Sequence, residues 1–547
     1  MSSYNVPVYD EYLSSSQPNS ENIINNKPSR DMYDAKLEIL IRNHSGKEKD
    51  LIIKAFNDAK NYHGDTKRKN GELYFSHPVA VALILNEMKA DYQTICAALL
   101  HDVVEDCKVS KEKILDDFGS IIANLVDSVT KVSSTHDENK EIKNIKTINK
   151  LSVYMATDIR AVYIKLADRL HNMRTIDGHD SYEAQARIAK QTLDIYVPLA
   201  ALLGMYQIKE ELEDLSFKVL DKNKYNHIYG LRKNFLSSSS ELSNGLFSLQ
   251  YNYDKNDNSF FKLYERVNEE RKVFNESNDS LKLPIFPLCD VKRSDKGVYG
   301  INRRFEMNGF TDVSQVRDLI TYSIVLDTDQ DSLLYDSMSV VNSVYDLIPV
   351  DPIIDYVTKP KTPLYRCIIT SNLFSTKHDK MRIRVRHQTS DMYLLSIYGL
   401  AAFWNYDDMT QVKKMQLFVQ SMPFYNDLLS IINEYEHEDY TYDEFYNRLN
   451  QIIFPRRIYV TVNDIDFVET IDGISLEEFI MSQNNGYIDL NMDYYVNGNL
   501  VNLGDIKKRK KGSQSIIIHN NDSIKTVVKG EKVERNLFGG IIRGRKK

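Results

Sequence analysis

Between Ala35 and about Tyr225, apolar residues recur at three- and four-residue spacing, as in IIANLVDSVTKV and ELEDLSFKVL. This pattern limits most narrowly what the chain can become. A period near 3.6 places apolar side chains on one stripe of a helix, which must be buried against its neighbours. A compact all-helical domain is therefore expected over 36–225. One polar stretch, THDENKEIKNIKT at 135–147, interrupts it and reads as a loop or a charged surface helix.

The texture differs on either side. Residues 1–35 are rich in Ser, Asn, Asp and Tyr and read as a disordered tail. Residues 226–283 are polar and Asn- and Ser-rich, and read as a helical linker. From 284 to 406 short β-branched runs (LITYSIVL, YRCIITSNLF, MRIRVRH) alternate with helix-like text such as SLLYDSMSVVNSVYDLI. That alternation predicts an α/β domain with a mixed sheet. A helical connector is expected at 407–455. At 456–520 the runs RRIYVTV, SLEEFIMS and YYVNGNLVNL suggest a small β-grasp-like module, followed by a basic tail at 521–547. The chain's 547 residues and 42% hydrophobic content suit several ordinary globular cores.

The formal charge of −7 excludes a wholly basic nucleic-acid binder, but it hides an asymmetry. Residues 505–547 carry thirteen Lys and Arg against four Asp and Glu, a net of +9, so the remainder carries −16. Cys96, Cys107, Cys289 and Cys367 show no CxxC spacing and read as reduced thiols. No basic, apolar leader and no long apolar run is visible, so no secretion or membrane span is expected, and the cytoplasm is the default location.

Three short texts inside the helical region hold polar residues that packing does not need. They are HGDTKRKNGELYFSHP (63–78), DYQTICAALLHDVVEDC (91–107) and KLADRLHNMRT (165–175). The second reads as one helix. Ile95, Ala98, Leu99 and Val103 would pack on one side, with His101 and Glu105, and Asp102 and Asp106, as neighbours four apart. His101 and Asp102 are adjacent, so both reach one cation only if their side chains converge from neighbouring azimuths. In the third text Asp168 and Asn172 share a face that Thr175 continues. His77 precedes Pro78 at a turn into a helix. His77, His101, Asp102 and Asp168 form a mixed nitrogen and oxygen set suited to Mn²⁺, Fe²⁺ or Zn²⁺ rather than Ca²⁺. A cation so held would lower the pKa of a bound water. Glu105 and Asp106, one turn beyond, could orient or deprotonate that water and protonate the leaving phosphate. Arg68 and Lys69 add charge suited to a polyphosphate, and Arg68 could instead stack on a base. His171 is as well explained by packing or by a supporting role as by ligation. A polar helix face is usually just solvated; the order His-Pro, His-Asp, Asp is what favours an HD-type phosphohydrolase here.

At these residues the chain resembles the RelA/SpoT family, enzymes that make and hydrolyse ppGpp and pppGpp. RKNGELYFSHP, AALLHDVVED and KLADRLHNMRT match the family's three hydrolase blocks. The resemblance runs from about residue 36 to 520 and implies an all-α HD-type hydrolase domain, a synthetase-like α/β domain and a TGS-like β-grasp domain. It implies a Mn²⁺-dependent (p)ppGpp 3′-pyrophosphohydrolase with His77, His101, Asp102 and Asp168 as metal ligands and Glu105 and Asp106 as the catalytic pair. It further implies nucleotide contacts at Arg68, Lys69, Asn172 and Thr175, with Arg68 against the guanine. Asn70, where the family usually has Ser, keeps a hydrogen-bonding group and is counted with them. Leu73 replaces the usual Pro.

The second domain departs from the family's synthetase text. RSDKGVYGIN places Gly297 at a family His, and Asn302 at the last Tyr. DLITYS keeps Asp318 but has Ser323 at an Arg position. IDYVTKPKTPLYRCIIT has Pro363 and Leu364 for Asn-Gly, and Ile369 for a His. RVRHQT puts Arg384 at the essential Glu and Arg386 at the Gln. Scaffold residues such as Asp355, Tyr356, Pro360, Lys361, Tyr365 and Trp404 persist. A guanidinium in place of the carboxylate reverses the local charge, so the synthetase is expected to be inactive and kept as a fold. The text ends at Lys547, so the family's further C-terminal domains are expected to be absent. KKRKK (507–511) and RGRKK (543–547) could contact RNA or the ribosome, although a solvated basic tail is the plainer reading. Two alternatives stand beside the hydrolase: a non-catalytic alarmone-sensing or ribosome-associated regulator, and a hydrolase of another 3′-phosphorylated nucleotide.

Overall fold

The computed structural model describes residues 30–68, 71–130, 158–179, 181–238, 289–344, 348–358, 364–375 and 380–405, with Glu269, Lys272, Val273, Glu276 and Pro360. It also describes shorter stretches between 457 and 543. The expected N-terminal tail up to residue 29, the 135–147 stretch, the 407–455 connector and KKRKK lie outside the described residues, as does nearly all of the 239–283 linker text. The chain divides into two compact units, 1–422 and 423–547.

The first unit opens with the helical domain that the periodicity predicts. Its helices are α1 (Arg30–Ile41), α2 (Gly46–His63), α3 (Ser76–Glu87), α4 (Tyr92–Leu100), α5 (Val103–Asp106), α6 (Lys111–Phe118), α7 (Ser120–Val129), α8 (Arg160–Arg174), α9 (Tyr182–Gln191), α10 (Val197–Leu202), α11 (Tyr206–Leu220) and α12 (Lys222–Ser238). The last of these runs through position 225 without a break. α4 is the centre of the core: every residue from Gln93 to Leu100 is buried, and α2, α3, α7 and α8 all pack on it. The small side chains of Cys96, Ala97 and Ala98 let neighbours approach on all sides, which a helix polar on one face could not allow.

Two polar contacts tie α4 to α8. Asp91 caps α4 by accepting from the Thr94 amide at 3.0 Å. Arg160, 5% exposed at the start of α8, donates to Asp91 (3.3 Å), to Gln93 (2.9 Å) and to Asp158 (2.7 Å). A buried guanidinium with its donors so distributed fixes the two helices end to end.

After α12 the chain builds a mixed sheet. β1 (Cys289–Asp295), β2 (Ile320–Leu326), β6 (Lys380–Thr389), β5 (Ile368–Ser375) and β3 (Ile348–Pro349) lie in that order, with β4 (Ile354–Asp355) also paired to β5. β2 runs parallel to β6, and the other pairs are antiparallel. Helices α13 (Val298–Asn308), α14 (Ser332–Val344) and α15 (Ser390–Tyr398) complete the layer. The expected α/β region with a mixed sheet is therefore present.

The helical and sheet regions meet through residues that need close approach. Glu210 on α11 accepts the Gly297 amide at 2.7 Å, and Asp214 accepts the amides of Val298 and Tyr299 at 3.0 and 2.8 Å. Carboxylates of the first region thus satisfy the donors that open α13. A Cβ on Gly297 would lie 2.8 Å from an Asp214 carboxylate oxygen, so no larger residue fits without displacing it. Gly399, at φ +58°, lies against the Leu203 carbonyl in the same way, and the Leu400 amide donates to that carbonyl at 3.2 Å. Trp404 packs against Tyr163 of α8, with ring centroids 5.0 Å apart and the rings tilted by 58°.

In the second unit, β7 (Arg457–Val462) and β8 (Asp466–Ile471) form a hairpin, followed by α16 (Leu476–Gln483), β9 (Met492–Val496), β10 (Asn499–Val501) and β11 (Ser523–Val528). The sheet order is β10-β9-β11-β7-β8, with β11 central and parallel to β7. Asn497 and Gly498, both at positive φ, turn β9 into β10, as an Asn-Gly pair does in a two-residue hairpin. A separate β12–β13 pair covers Val533–Arg535 and Ile541–Arg543, inside the expected basic tail. No helix among the described residues is long and apolar enough to cross a membrane.

Candidate metal centre

The local fold around His101 and Asp102 differs from the single helix expected over 91–107. α4 ends at Leu100, His101 and Asp102 form a turn, and α5 begins at Val103. On one continuous helix these side chains would leave the axis about 100° apart. Here Asp102 sits at φ −99°, ψ −10°, and its carboxylate comes to 3.1 Å from His101 Nε2. His101 Nδ1 lies 2.8 Å from the Ala98 carbonyl, so the imidazole itself serves a backbone acceptor near the helix end. The turn does not disconnect Asp106 from Asp102, since the Asp106 amide donates to the Asp102 carbonyl at 2.8 Å.

That contact also decides the tautomer. A carbonyl only accepts, so Nδ1 of His101 carries the proton and Nε2 presents a lone pair. The residue is 1% exposed, and Nε2 has no hydrogen-bond partner among the described residues. It lies 3.1 Å from an Asp102 carboxylate oxygen and 4.0 Å from Asp168 Oδ1. His77, at the second position of α3, brings its Nε2 to 3.2 Å from Asp168 Oδ1 and 3.5 Å from Asp102 Oδ2. The donor atoms of His77, His101 and Asp168 all lie within 4.8 Å of one another. Buried lone pairs and carboxylate oxygens that face each other repel unless a cation lies between them. The residues present therefore fit a divalent metal.

Neighbouring groups hold these ligands in place. His77 Nδ1 lies 2.7 Å from His171 Nδ1. Burial, with His77 adding to it, pushes the His171 pKa down to about 2, so His171 is a neutral ring. For His77 to offer Nε2 to a metal, its Nδ1 must donate and His171 must accept, the usual support for a ligating imidazole. Asp168 accepts from Asn172 Nδ2 at 2.7 Å. Burial opposes its ionisation, but the Lys165 ammonium 3.5 Å away holds its carboxyl well below the usual range. Arg68 donates to Asn172 Oδ1 (3.1 Å) and to Thr175 Oγ1 (3.4 Å), so these three expected nucleotide contacts form one chain ending at Asp168. Lys69 and Asn70 lie outside the described residues. Glu105 and Asp106 are exposed on α5, and Tyr74 donates to Asp106 Oδ2 at 2.5 Å. Sequence reasoning missed Tyr74, although it stands inside RKNGELYFSHP, three residues before His77.

The corresponding place in the sheet region is built the other way. Asp318 is met by Arg304 at 2.8 Å, Lys296 at 3.0 Å and Arg384 at 3.4 Å. Burial opposes its ionisation, but these three cations hold its carboxyl far below the usual range. Arg384 thus pairs its charge with Asp318, the acidic residue that DLITYS retains.

A convergent His, His, Asp and Asp set in a helical core defines an HD domain, and the HD domain model matches residues 55–206. The chain is 33% identical over 371 residues to the GTP pyrophosphokinase of Myxococcus xanthus, covering 67% of this chain and 44% of that protein. It is 30% identical over 446 residues to the guanosine-3′,5′-bis(diphosphate) 3′-pyrophosphohydrolase of Borreliella burgdorferi, covering 81% of this chain and 62% of that one. A solved structure described as a metazoan ortholog of SpoT that hydrolyzes ppGpp overlaps loosely, with 23% identity, a TM-score of 0.24, and 33% of this chain and 95% of that chain covered. The chain belongs to the RelA/SpoT family and spans roughly half the length of the curated relatives it matches.

Proposed function

We propose that the protein is a (p)ppGpp 3′-pyrophosphohydrolase. The observation that carries this reading is the buried His101 Nε2 lone pair, which points with His77, Asp102 and Asp168 at a common centre. Those four residues would hold a divalent cation; the mixed imidazole and carboxylate set suits Mn²⁺, Fe²⁺ or Zn²⁺, and we take it to be Mn²⁺ because the family resemblance implies that ion. Such an ion supplies a Lewis acid and lowers the pKa of a bound water. The chain's own residues do the rest. Arg68, with Asn172 and Thr175, receives the nucleoside end, and Lys69 and Asn70 complete that contact. Glu105 and Asp106 take the proton from the attacking water and return one to the departing 3′ oxygen. The bond between that oxygen and its phosphorus breaks, giving pyrophosphate and GDP, or GTP from pppGpp.

The sheet region, taken as 284–406, is on this reading an inactive synthetase, supported by the three cations gathered on Asp318. The second unit is read as TGS-like, supported by its sheet order, and the protein as cytoplasmic. The net +9 of residues 505–547 is what supports contact of the basic segments with RNA or the ribosome. Purified protein with Mn²⁺ is expected to release pyrophosphate from ppGpp, and Asp102→Ala to abolish that release. No release by the wild type, with Asp102→Ala unchanged from it, would sink the reading. Pyrophosphate transfer from ATP to GDP would overturn the inactive synthetase.

A further inference from the structure

We infer that Tyr74 is a positioning residue that sets the Asp106 carboxylate, standing on a platform made by His63; the inference rests on the hydrolase reading. Asp106 is exposed at the end of a single helical turn, where a lone carboxylate samples several rotamers. The Tyr74 hydroxyl takes Oδ2 at 2.5 Å and leaves Oδ1 as the oxygen available to a water or a leaving group. Burial and the nearby Asp102 charge push the Tyr74 hydroxyl up, so it remains an O–H donor.

Tyr74 is itself held on three sides. Its amide donates to the Thr66 carbonyl at 2.7 Å, and Lys67 bridges to Leu73, closing a short hairpin. His63, 3% exposed, lies flat on its ring at 5.0 Å and 23°. Burial pushes the His63 pKa down, so the platform is a neutral ring. The His63 Nδ1 lies 3.3 Å from Cys107 Sγ, one residue beyond Asp106, so the platform touches both the tyrosine and the segment that bears its acceptor. The same hairpin carries Arg68 and runs into α3, where the His77 amide donates to the Tyr74 carbonyl at 3.0 Å. One nine-residue segment, Thr66 to Tyr74, thereby sets the nucleoside contact and the proton-handling carboxylate against the metal ligands in a single register. Misplacing a proton-transfer group by a fraction of a bond length is enough to slow it.

Tyr74→Phe keeps the stacked ring and removes only the hydroxyl. In the Mn²⁺-loaded protein with ppGpp, kcat is expected to fall about tenfold at unchanged KM, as for loss of an interaction made only in the transition state. Mn²⁺ affinity by electron paramagnetic resonance and the melting temperature are expected to stay unchanged. In an Asp106→Asn background the same change is expected to cost nothing further, because Tyr74 acts only through Asp106. A kcat within about twofold of wild type, an equal loss of Mn²⁺ affinity, or a full further loss in the Asp106→Asn background would overturn the inference. A wild type that releases no pyrophosphate would defeat the hydrolase reading instead. The crystal structure of Tyr74→Phe then decides the positioning by itself: a displaced Asp106 side chain supports it, and an unmoved one refutes it.

Discussion

Two acidic clusters in the first unit have opposite surroundings. At the candidate metal centre, Asp102 and Asp168 face two imidazoles whose lone pairs also point inward. In the sheet region, Asp318 faces Lys296, Arg304 and Arg384. The first cluster has a surplus of donor electrons that calls for a cation from outside. The second has already been neutralised from within the chain, with positive charge left over. Carboxylates alone therefore do not make a metal site; the sign of what surrounds them decides.

The largest effect that would break this comparison is expected at the first cluster. Asp102→Ala should lower pyrophosphate release by at least about 10³-fold, measured as kcat, since a ligand and the water it helps activate are lost together. The corresponding change at the second cluster, Asp318→Asn, should leave kcat alone and instead destabilise the fold by about 3 kcal/mol in urea unfolding, because three cations lose their buried partner. A loss of hydrolysis there without a loss of stability would show that the two clusters are not independent.

Smaller effects test how the regions are joined. Gly297→Ala pushes a methyl to within 2.8 Å of an Asp214 oxygen and should cost about 1–3 kcal/mol, read by urea unfolding. The smallest effect is a pH slope. Burial pushes Asp214 up from its ordinary 3.8 to about 7, with Glu210 adding to it against the two amide contacts. The folded state then holds a proton that the unfolded chain has lost, so the associated stability is present at low pH and is lost as pH rises through about 7. The melting temperature should fall between pH 6 and 8 by more in the wild type than in Asp214→Asn, to the extent of about one degree or a few. Identical slopes would refute the assignment.

Much of the site was legible because its residues serve no packing purpose. His77, His101, Asp102 and Asp168 stand out from an apolar periodicity that has no use for them, and the structure brings all four together. Asn172 and Thr175 were legible as a continuing helix face. The break at His101 was not, because ALLHDVVED contains no Gly or Pro and its apolar residues suit an uninterrupted helix. Nor was the role of His171, whose contact with His77 spans 94 positions. Tyr74 was overlooked for a similar reason: its partner lies 32 residues away.

By itself, the sequence determined the helical character of the first region, the alternation of strands and helices that makes the next one a mixed sheet, and the types of ligand available to a cation. These follow from local periodicity and from which side chains carry lone pairs or charge. Only the tertiary structure decided that His101 presents Nε2, that Arg384 answers Asp318, and that Gly297 receives the carboxylates of α11. The last two depend on partners 66 and more positions away in the chain, and the first on the placing of the Ala98 carbonyl three residues back; a hydrogen bond or an ion pair is set by distance in space, which no pattern of residue types records.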